Sequence, residues 1–168
     1  MMLVYNKSID VNHTILRLSA LSMELDGKEV EKDRLRILDF ILAHPVHISK
    51  MNLGKDMVKE RNLFKSFENN YQNYSGNNLF EIMNPVQDMA ISYLENIGVI
   101  SFKKDKNRFF IDCKKVSPEV KEVITMEINS LSSQAINFIR NHLVNMNLVG
   151  KGGLKSASNL IGCKYDAI

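Results

Sequence analysis

The sequence is poor in cysteine, and its two cysteines stand far apart. Cys113 and Cys163 belong to no Cys-x-x-Cys pattern and to no cysteine–histidine cluster among the 168 residues. A structural zinc site needs four cysteine or histidine ligands at short spacings, and disulfide-stabilised domains are dense in cysteine. We therefore expect two reduced thiols, no bound metal, and a fold that depends on an apolar core.

Long apolar runs are absent too. No stretch approaches the ~18 apolar residues that a membrane-spanning helix needs, and residues 1–7 lack the charged-then-apolar order of a signal peptide. These two absences predict a cytoplasmic protein with no membrane contact. The net charge of +3 is too small to indicate a nucleic-acid-binding protein by itself.

Catalytic motifs are missing as well. The sequence has no Gly-x-Ser-x-Gly, no His-Glu-x-x-His and no carboxylate pair in a glycine-rich context. The glycines at 150–153 follow a predicted helix instead of preceding one, so they do not fit a phosphate-binding loop. His44 and His47 flank Pro45, which takes them off a common helical face and disfavours metal ligation. We therefore predict a protein that is not an enzyme, with no catalytic residues, no cofactor and no small-molecule substrate.

Hydrophobic periodicity predicts two helices within the first 45 residues. Apolar residues recur at steps of three and four from Asp10 to Leu25, and Asp10 is a suitable N-cap. A second apolar stripe lies between Val30 and His44. Pro45 ends this helix, because a residue before proline is pushed out of the helical region.

A third helix is predicted to begin at Asn84–Pro85, which pairs an N-cap with a proline in the first turn. Gly98 follows it as a left-handed C-cap. The buried face is assigned to six residues: Val86, Met89, Ala90, Tyr93, Leu94 and Ile97. Two β-prone runs around a polar turn come next, which predicts a hairpin from Val99 to Asp112.

A helix that leads directly into such a hairpin has the form of a winged helix. We therefore predict a mainly α fold with a small β-hairpin wing, in which a winged-helix-like domain carries N- and C-terminal helical arms. Residues 1–115 form that domain, and residues 116–168 form a C-terminal helical segment. The segment contains an amphipathic stretch from Ser117 to Met146, with a kink at Ser132–Ser133.

The wing is basic. Residues 101–115 hold six lysines and arginines against two aspartates. Such a cluster suits contact with phosphates, although it also suits a solubilising turn that protects an edge hairpin from aggregation. The candidate contacts to nucleic acid or to a partner are Lys103, Lys104, Lys106 and Arg108.

The helix before the wing is a poor surface for reading DNA. Its polar face carries Gln87, Asp88, Ser92, Glu95 and Asn96, which include two acids and no base. This face favours a winged helix that binds proteins. The alternative is a dimeric winged-helix transcription regulator that binds DNA, in which the stretch from Ser117 to Met146 supplies a dimer coiled coil. Leucines and phenylalanines between residues 50 and 70 also hint at a surface that a partner covers.

The first 45 residues resemble a known family. The stretch Leu3-Val4-Tyr5-Asn6, then Asp10, His13 and Arg17, then 33–42 (DRLRILDFIL) closed by Pro45, is similar to the middle component of ABC-three-component systems. These are bacterial operons related to the Lamassu anti-phage defence family.

The resemblance implies a small cytoplasmic subunit without catalytic residues. Such subunits accompany a coiled-coil ATPase similar to SMC proteins and an effector, often a nuclease, and they are thought to bridge the two. DNA contact is then expected through the complex. Arg34, Arg36 and Asp39 lie on the polar face of the helix that matches the family pattern, so they are candidate subunit-interface residues. The alternative for them is a solvated face with pairing inside the helix.

Overall fold

The computed structural model of the chain describes residues 5–68, 76–126 and 131–161. The predicted mainly α fold with a small β sheet is confirmed. Seven α-helices are described: α1 (Val11–Glu24), α2 (Lys32–Ala43), α3 (Val58–Leu63), α4 (Gly76–Asn96), α5 (Pro118–Thr125), α6 (Ser133–Phe138) and α7 (Leu154–Ser158). The strands are β1 (Glu29–Val30), β2 (Ile100–Lys103) and β3 (Arg108–Ile111).

The first two helices follow the predicted bounds closely. The Asp10 carboxylate accepts a hydrogen bond of 3.0 Å from the His13 backbone N–H, which is the expected N-cap of α1. Helix α2 ends at Ala43, two residues before Pro45. The signals that start and end these helices come from neighbouring residues in the chain.

The predicted hairpin is confirmed, and a third strand joins it. Strands β2 and β3 pair antiparallel with Lys103 opposite Arg108, and Asn107 has φ +52° in the turn between them. Strand β1 pairs with the other edge of β3, so the order is β1-β3-β2. At two residues, β1 is too short to leave a periodic signal in the sequence.

Helix α4 differs from its prediction in its start and in its buried face. It begins at Gly76 and contains Pro85, so the predicted N-cap at Asn84 is wrong. Pro85 is exposed, and so is Glu81, whose carbonyl it leaves without a helical donor. The added first turns bring Phe80 and Met83 to the core, and these residues set which face of the helix turns inward.

The C-terminal part does not form the single long helix that a dimer coiled coil would need. Helix α5 ends at Thr125, and Met126 has extended backbone. Ser132 caps a new helix, which fits the predicted kink, and α6 then passes into a π-helical segment, Ile139–Leu143. A short helix, α7, follows after the glycines at 150–153.

One hydrophobic core joins the elements. Helices α1, α2 and α4 contribute its centre, and residues of α6, the π-helical segment and α7 pack into the same cluster. Helix α2 contacts α1, α4, α6 and α7. The proposed division between residues 115 and 116 stays a prediction, but the C-terminal elements share the core of the preceding ones. Of the helices in the described ranges, none is both long and apolar enough to cross a membrane.

Gly98 occupies the predicted left-handed position, with φ +84°. A Cβ there would meet only the Lys115 side chain, at 3.8 Å, so the cost of a larger residue comes from the backbone conformation. We expect Gly98→Ala to lower the free energy of unfolding by about 1–2 kcal/mol in urea denaturation. Gly98→Asn should lose less, because asparagine tolerates this conformation. Equal losses for both variants would contradict a conformational cause.

Candidate partner-binding surface

The four candidate residues of the wing lie on β2, β3 and the turn between them, and two of them are paired with acids of the chain. Lys106 Nζ is 3.0 Å from a carboxylate oxygen of Glu29, and Arg108 Nη2 is 3.2 Å from one of Glu31. Lys103 Nζ lies 5.7 Å from the centre of the Phe110 ring. Because Glu29 and Glu31 flank the sheet, the wing is less positive than residues 101–115 suggest alone.

Asp39 is not on the polar surface of α2, where the sequence analysis placed it. It is fully buried, and its carboxylate is bonded to Arg17 at 2.7 and 3.3 Å. Gln87 of α4 donates a further hydrogen bond of 2.9 Å to it. The surface position is wrong because this carboxylate joins α1, α2 and α4 inside the core, where a charge is tolerated only when it is paired.

The Arg17 guanidinium also donates hydrogen bonds to two groups outside the ion pair. Its guanidinium donates to the Lys7 carbonyl at 3.1 Å and to the Thr14 hydroxyl at 2.9 Å. Two residues that carry the family resemblance, Arg17 and Asp39, therefore form a buried ion pair. A third, Asp10, caps α1. These positions of the pattern hold the fold together.

Arg34 and Arg36 also contact other elements of the chain. Arg34 is buried, and its guanidinium approaches the carbonyls of Leu143 and Val144 at 3.3 and 3.4 Å, at the end of the π-helical segment. Arg36 donates to Gln87 at 3.2 Å and lies 4.5 Å from the centre of the Phe80 ring. Pairing along α2 also occurs: Arg34 is 3.1 Å from Glu31, the residue before the helix, and Arg36 is 3.8 Å from Asp33. The surface position expected for Arg34 is wrong, and its role at a subunit interface stays a prediction.

A different set of residues forms an exposed apolar face. Helix α4 turns Phe80, Met83, Ala90, Ile91 and Leu94 to the core, together with Gln87. Its outer side carries a second stripe, which we call the α4 seam: Ile82, Val86, Met89, Tyr93 and Ile97. Four of these side chains are 43–59% exposed, and Val86 is half-buried. The spacings of 4, 3, 4 and 4 residues place them on one side of the helix.

On the side towards α2, away from the seam, α4 carries a row of acids, which we call the acidic ridge: Glu81, Asp88 and Glu95. Their spacing of seven residues stacks them along one line of the helix. Asp88 is paired with Lys32 of α2 at 2.6 Å. In the part of the chain that the structure describes, Glu81 and Glu95 form no ion pair.

The prediction that Val86, Met89, Tyr93 and Ile97 lie in the core is therefore wrong. The prediction that Gln87 lies on the polar face is also wrong, because Gln87 is buried against α2. The sequence did contain two apolar stripes, because Ala90 and Leu94 lie on a different side of the helix from Met89 and Tyr93. Without Phe80 and Met83 in the helix, nothing indicated which stripe faced inward.

A second apolar surface lies between α3 and α6. A groove of about 430 Å³ is lined by Leu63, Phe64 and Phe138 and by the amides of Gln134, Asn137 and Asn141. The Phe64 and Phe138 rings are 5.4 Å apart, and a His142–Glu60 contact of 2.8 Å lies beside them. Leu63 is 66% exposed, so part of the apolar stretch expected between residues 50 and 70 does face solvent.

The described residues were also compared with the needs of a metal site. Across residues 5–68, 76–126 and 131–161, no three His, Cys, Asp or Glu side chains are placed to hold a metal ion. Burial raises the pKa of the Cys113 thiol, and a contact with Asp26 adds to the effect. A raised pKa leaves less thiolate, which makes this cysteine a weak nucleophile. Cys163 lies outside the described residues.

Comparisons with known proteins give one match. A family model described as ABC-three component (ABC-3C) system Middle Component 5 matches residues 3–166. No curated protein and no solved structure matches the chain. The match covers nearly all of the sequence, including the region after Cys113, where the sequence analysis found no resemblance.

Proposed function

Because the chain belongs to the middle component 5 family of ABC-three-component systems, we propose that it is a non-catalytic bridging subunit of a bacterial defence complex. In this proposal it links an SMC-like ATPase to an effector nuclease and acts against phage or plasmids. The observation that carries the proposal is the α4 seam, a stripe of large apolar side chains left in water. Exposed apolar patches on a folded domain mark protein interaction sites.

The fold supports a binding role. The order α1, β1, α2, α3, α4, β2, β3 and the β1-β3-β2 sheet support a winged-helix-like layout with α3 as an additional short helix, and in this proposal α4 takes the position of the recognition helix. A DNA-reading helix offers basic and polar side chains to phosphates and bases. Helix α4 instead offers apolar side chains and acids, and it contains no lysine or arginine. A protein partner suits this surface better than DNA does.

A bridging subunit needs two surfaces that can be occupied together. The groove between α3 and α6 shares no residue with the α4 seam, and α2 packs against both α4 and α6. The seam and the groove are therefore held on one core by the same central helix. The wing residues Lys103 and Lys104 lie at the end of the hairpin, where they can reach nucleic acid held by the assembled complex.

Co-purification tests the bridging role. The tagged full-length chain should retain both the ATPase and the effector component when all three are co-expressed, and the two should not co-purify without it. Retention of only one component, or an ATPase–effector complex that forms equally well without the chain, would contradict bridging. Sequence-specific DNA binding by the isolated chain that survives physiological salt would favour the alternative, a dimeric winged-helix regulator.

A further inference from the structure

Strand β1 has a free edge, because it stands at the end of the sheet and pairs only with β3. The Ile111 N–H donates to the Lys28 carbonyl at 3.0 Å, and Glu29 lies opposite Phe110. In an antiparallel ladder this bond makes Glu29 and Phe110 a non-hydrogen-bonded pair. The backbone N–H and C=O of Glu29 therefore point away from β3, towards the free edge.

The extended backbone continues through Glu31, which has φ −77° and ψ 148°. Because the ladder alternates, the Glu31 N–H points to the same side as the backbone groups of Glu29. The Glu31 carbonyl is already used, since it accepts from the Leu35 N–H at 3.3 Å. Within the described ranges, nothing else pairs with these two N–H groups or with the Glu29 carbonyl. Open groups at this spacing are a template for one more strand.

A groove of about 900 Å³, which we call the β1 groove, lies along this edge. Residues 28–31 form one wall, and the loop 144–149 forms the other. Asn145 and Asn147 line the loop wall, and their side-chain amides carry the donors and acceptors of a peptide unit. An extended chain in the β1 groove can therefore form hydrogen bonds on both of its sides.

The β1 groove has an excess of positive charge. Three cations and two acids line it: Lys28, Arg34, Arg108, Glu29 and Glu31. Lys106 of the hairpin turn neutralises Glu29 at 3.0 Å, and the Glu31 carboxylate is shared between the two arginines, at 3.1 and 3.2 Å. Lys28 donates to a neutral side-chain amide and has no carboxylate partner in the part of the chain that the structure describes. Four cations against two acids leave two positive charges for a bound molecule.

We propose that the β1 groove binds an extended, acidic segment of a protein partner, which adds to the free edge of β1 as a fourth strand. A polypeptide fits because the open groups of Glu29 and Glu31 need both donors and acceptors opposite them, and nucleic acid lacks that alternation. The excess of positive charge favours acidic side chains. Glu29 and Glu31 are two residues apart and share one face of the strand, so the acids of the segment occupy alternate positions on the other face.

A second copy of this chain fits the edge less well. When two β1 edges pair antiparallel, the residues with outward groups meet, so Glu29 lies opposite Glu29 or Glu31 of the second copy. Like charges directly opposite each other destabilise a strand pair. The β1 groove shares no residue with the α4 seam or with the groove between α3 and α6. The inference therefore goes beyond the proposed function, and its test needs no other component of the system.

A panel of peptides tests the occupant by isothermal titration calorimetry with the full-length chain. The probe is a capped hexapeptide that alternates threonine and aspartate. We expect it to bind at least about tenfold more tightly than the matching threonine–lysine hexapeptide, because the charges are complementary. Equal affinities, or no binding of the acidic peptide at about 1 mM, would overturn the proposal. The second result would mean that the shortness of β1 protects the edge from pairing.

Methylation of the peptide backbone tests strand addition. A residue that pairs with Glu29 shares its face, so the threonine N–H groups should point to β1 and the aspartates away from Glu29. N-methylation of the threonines should weaken binding at least about tenfold, because the hydrogen bonds to the edge are lost. N-methylation of the aspartates should cost less. A threonine-methylated peptide that binds as tightly as the unmodified one would overturn strand addition.

Two substitutions at one position make the same test in the protein. Glu29→Pro removes the outward N–H, and proline is tolerated at a strand edge because this N–H makes no bond to β3. Glu29→Ala removes only the carboxylate, so it is the matched control. We expect Glu29→Pro to weaken the acidic peptide about tenfold and Glu29→Ala to bind it at least as well as the unmodified chain. Equal affinities of the two folded variants would contradict strand addition, and a dimer that Glu29→Pro converts to monomer would favour a second copy. If Glu29→Pro does not fold, the methylated peptides decide.

Charge reversal tests the choice of an acidic segment. Lys28→Glu should weaken the acidic peptide about tenfold at low ionic strength, and the difference should shrink in high salt because exposed charges are screened. Lys151→Glu makes the same change in net charge at an exposed position outside the β1 groove. Equal losses for both variants would show that net charge is responsible. A thymidine hexanucleotide that binds as tightly as the peptide, and is weakened equally by Lys28→Glu, would overturn the proposal in favour of a phosphate site.

Discussion

Replacing Arg17 with methionine should lower the free energy of unfolding by about 3–5 kcal/mol, the usual loss when one partner of a buried ion pair is removed. The variant leaves the Asp39 carboxylate inside the core with only the Gln87 amide to compensate it. It also removes the donors that hold the Lys7 carbonyl and the Thr14 hydroxyl. Urea denaturation followed by circular dichroism measures the effect.

A double variant and a surface variant serve as controls. Arg17→Met with Asp39→Leu replaces both charges by apolar groups, so it should recover most of the lost stability. Lys32→Met breaks the exposed pair with Asp88 and should cost less than about 1 kcal/mol. A loss for Arg17→Met no larger than that for Lys32→Met would show that the buried pair contributes little to the fold.

Mild acid should destabilise the protein through His44. Burial lowers the pKa of this imidazole to about 4, and it lowers the pKa of His47 in the same direction. Because the unfolded chain binds a proton near pH 6.5 and the folded chain does not, stability is highest above pH 6.5 and falls as the pH drops towards 4. The shift of His44 alone corresponds to a loss of about 2 kcal/mol by pH 5.

The variant His44→Gln removes this titration. Its free energy of unfolding should change less between pH 7 and pH 5 than that of the unmodified protein, even if it is less stable at both values. The range above pH 5 separates the effect from Asp10 and Asp26, because hydrogen bonds from backbone N–H groups lower the pKa of both carboxyls from the ordinary value. An unchanged slope in the variant would rule out His44 as the source.

The local features of the fold could be predicted because each depends on residues near one another in the chain. These local features are the cap at Asp10, the end of α2 before Pro45, the left-handed Gly98 and the hairpin turn. The start of α4 could not be predicted in the same way. Asn84–Pro85 has the composition of a helix start, but a proline on the exposed side of a helix is tolerated when water solvates the freed carbonyl.

The binding surface was harder to predict than the fold. The sequence showed that the helix before the wing carries acids and no base, and its poor fit to DNA stays a prediction. It placed the candidate interface on α2, where Arg34 and Asp39 are buried. Charged residues at steps of three were interpreted as a solvated face because most charges are exposed. Their actual partners, Arg17 and the carbonyls near Leu143, are 22 and 109 residues away in the chain.

The sequence by itself determined the family, the first two helices and the wing, since caps, breakers and periodicity act over a few residues. Only the tertiary structure decided which apolar stripe of α4 lies in the core and which lies in water. Either stripe could have been buried until Phe80 and Met83 packed inward and Gln87 bonded to Asp39. The seam is the face that remained, and its exposure is a consequence of how the other helices pack.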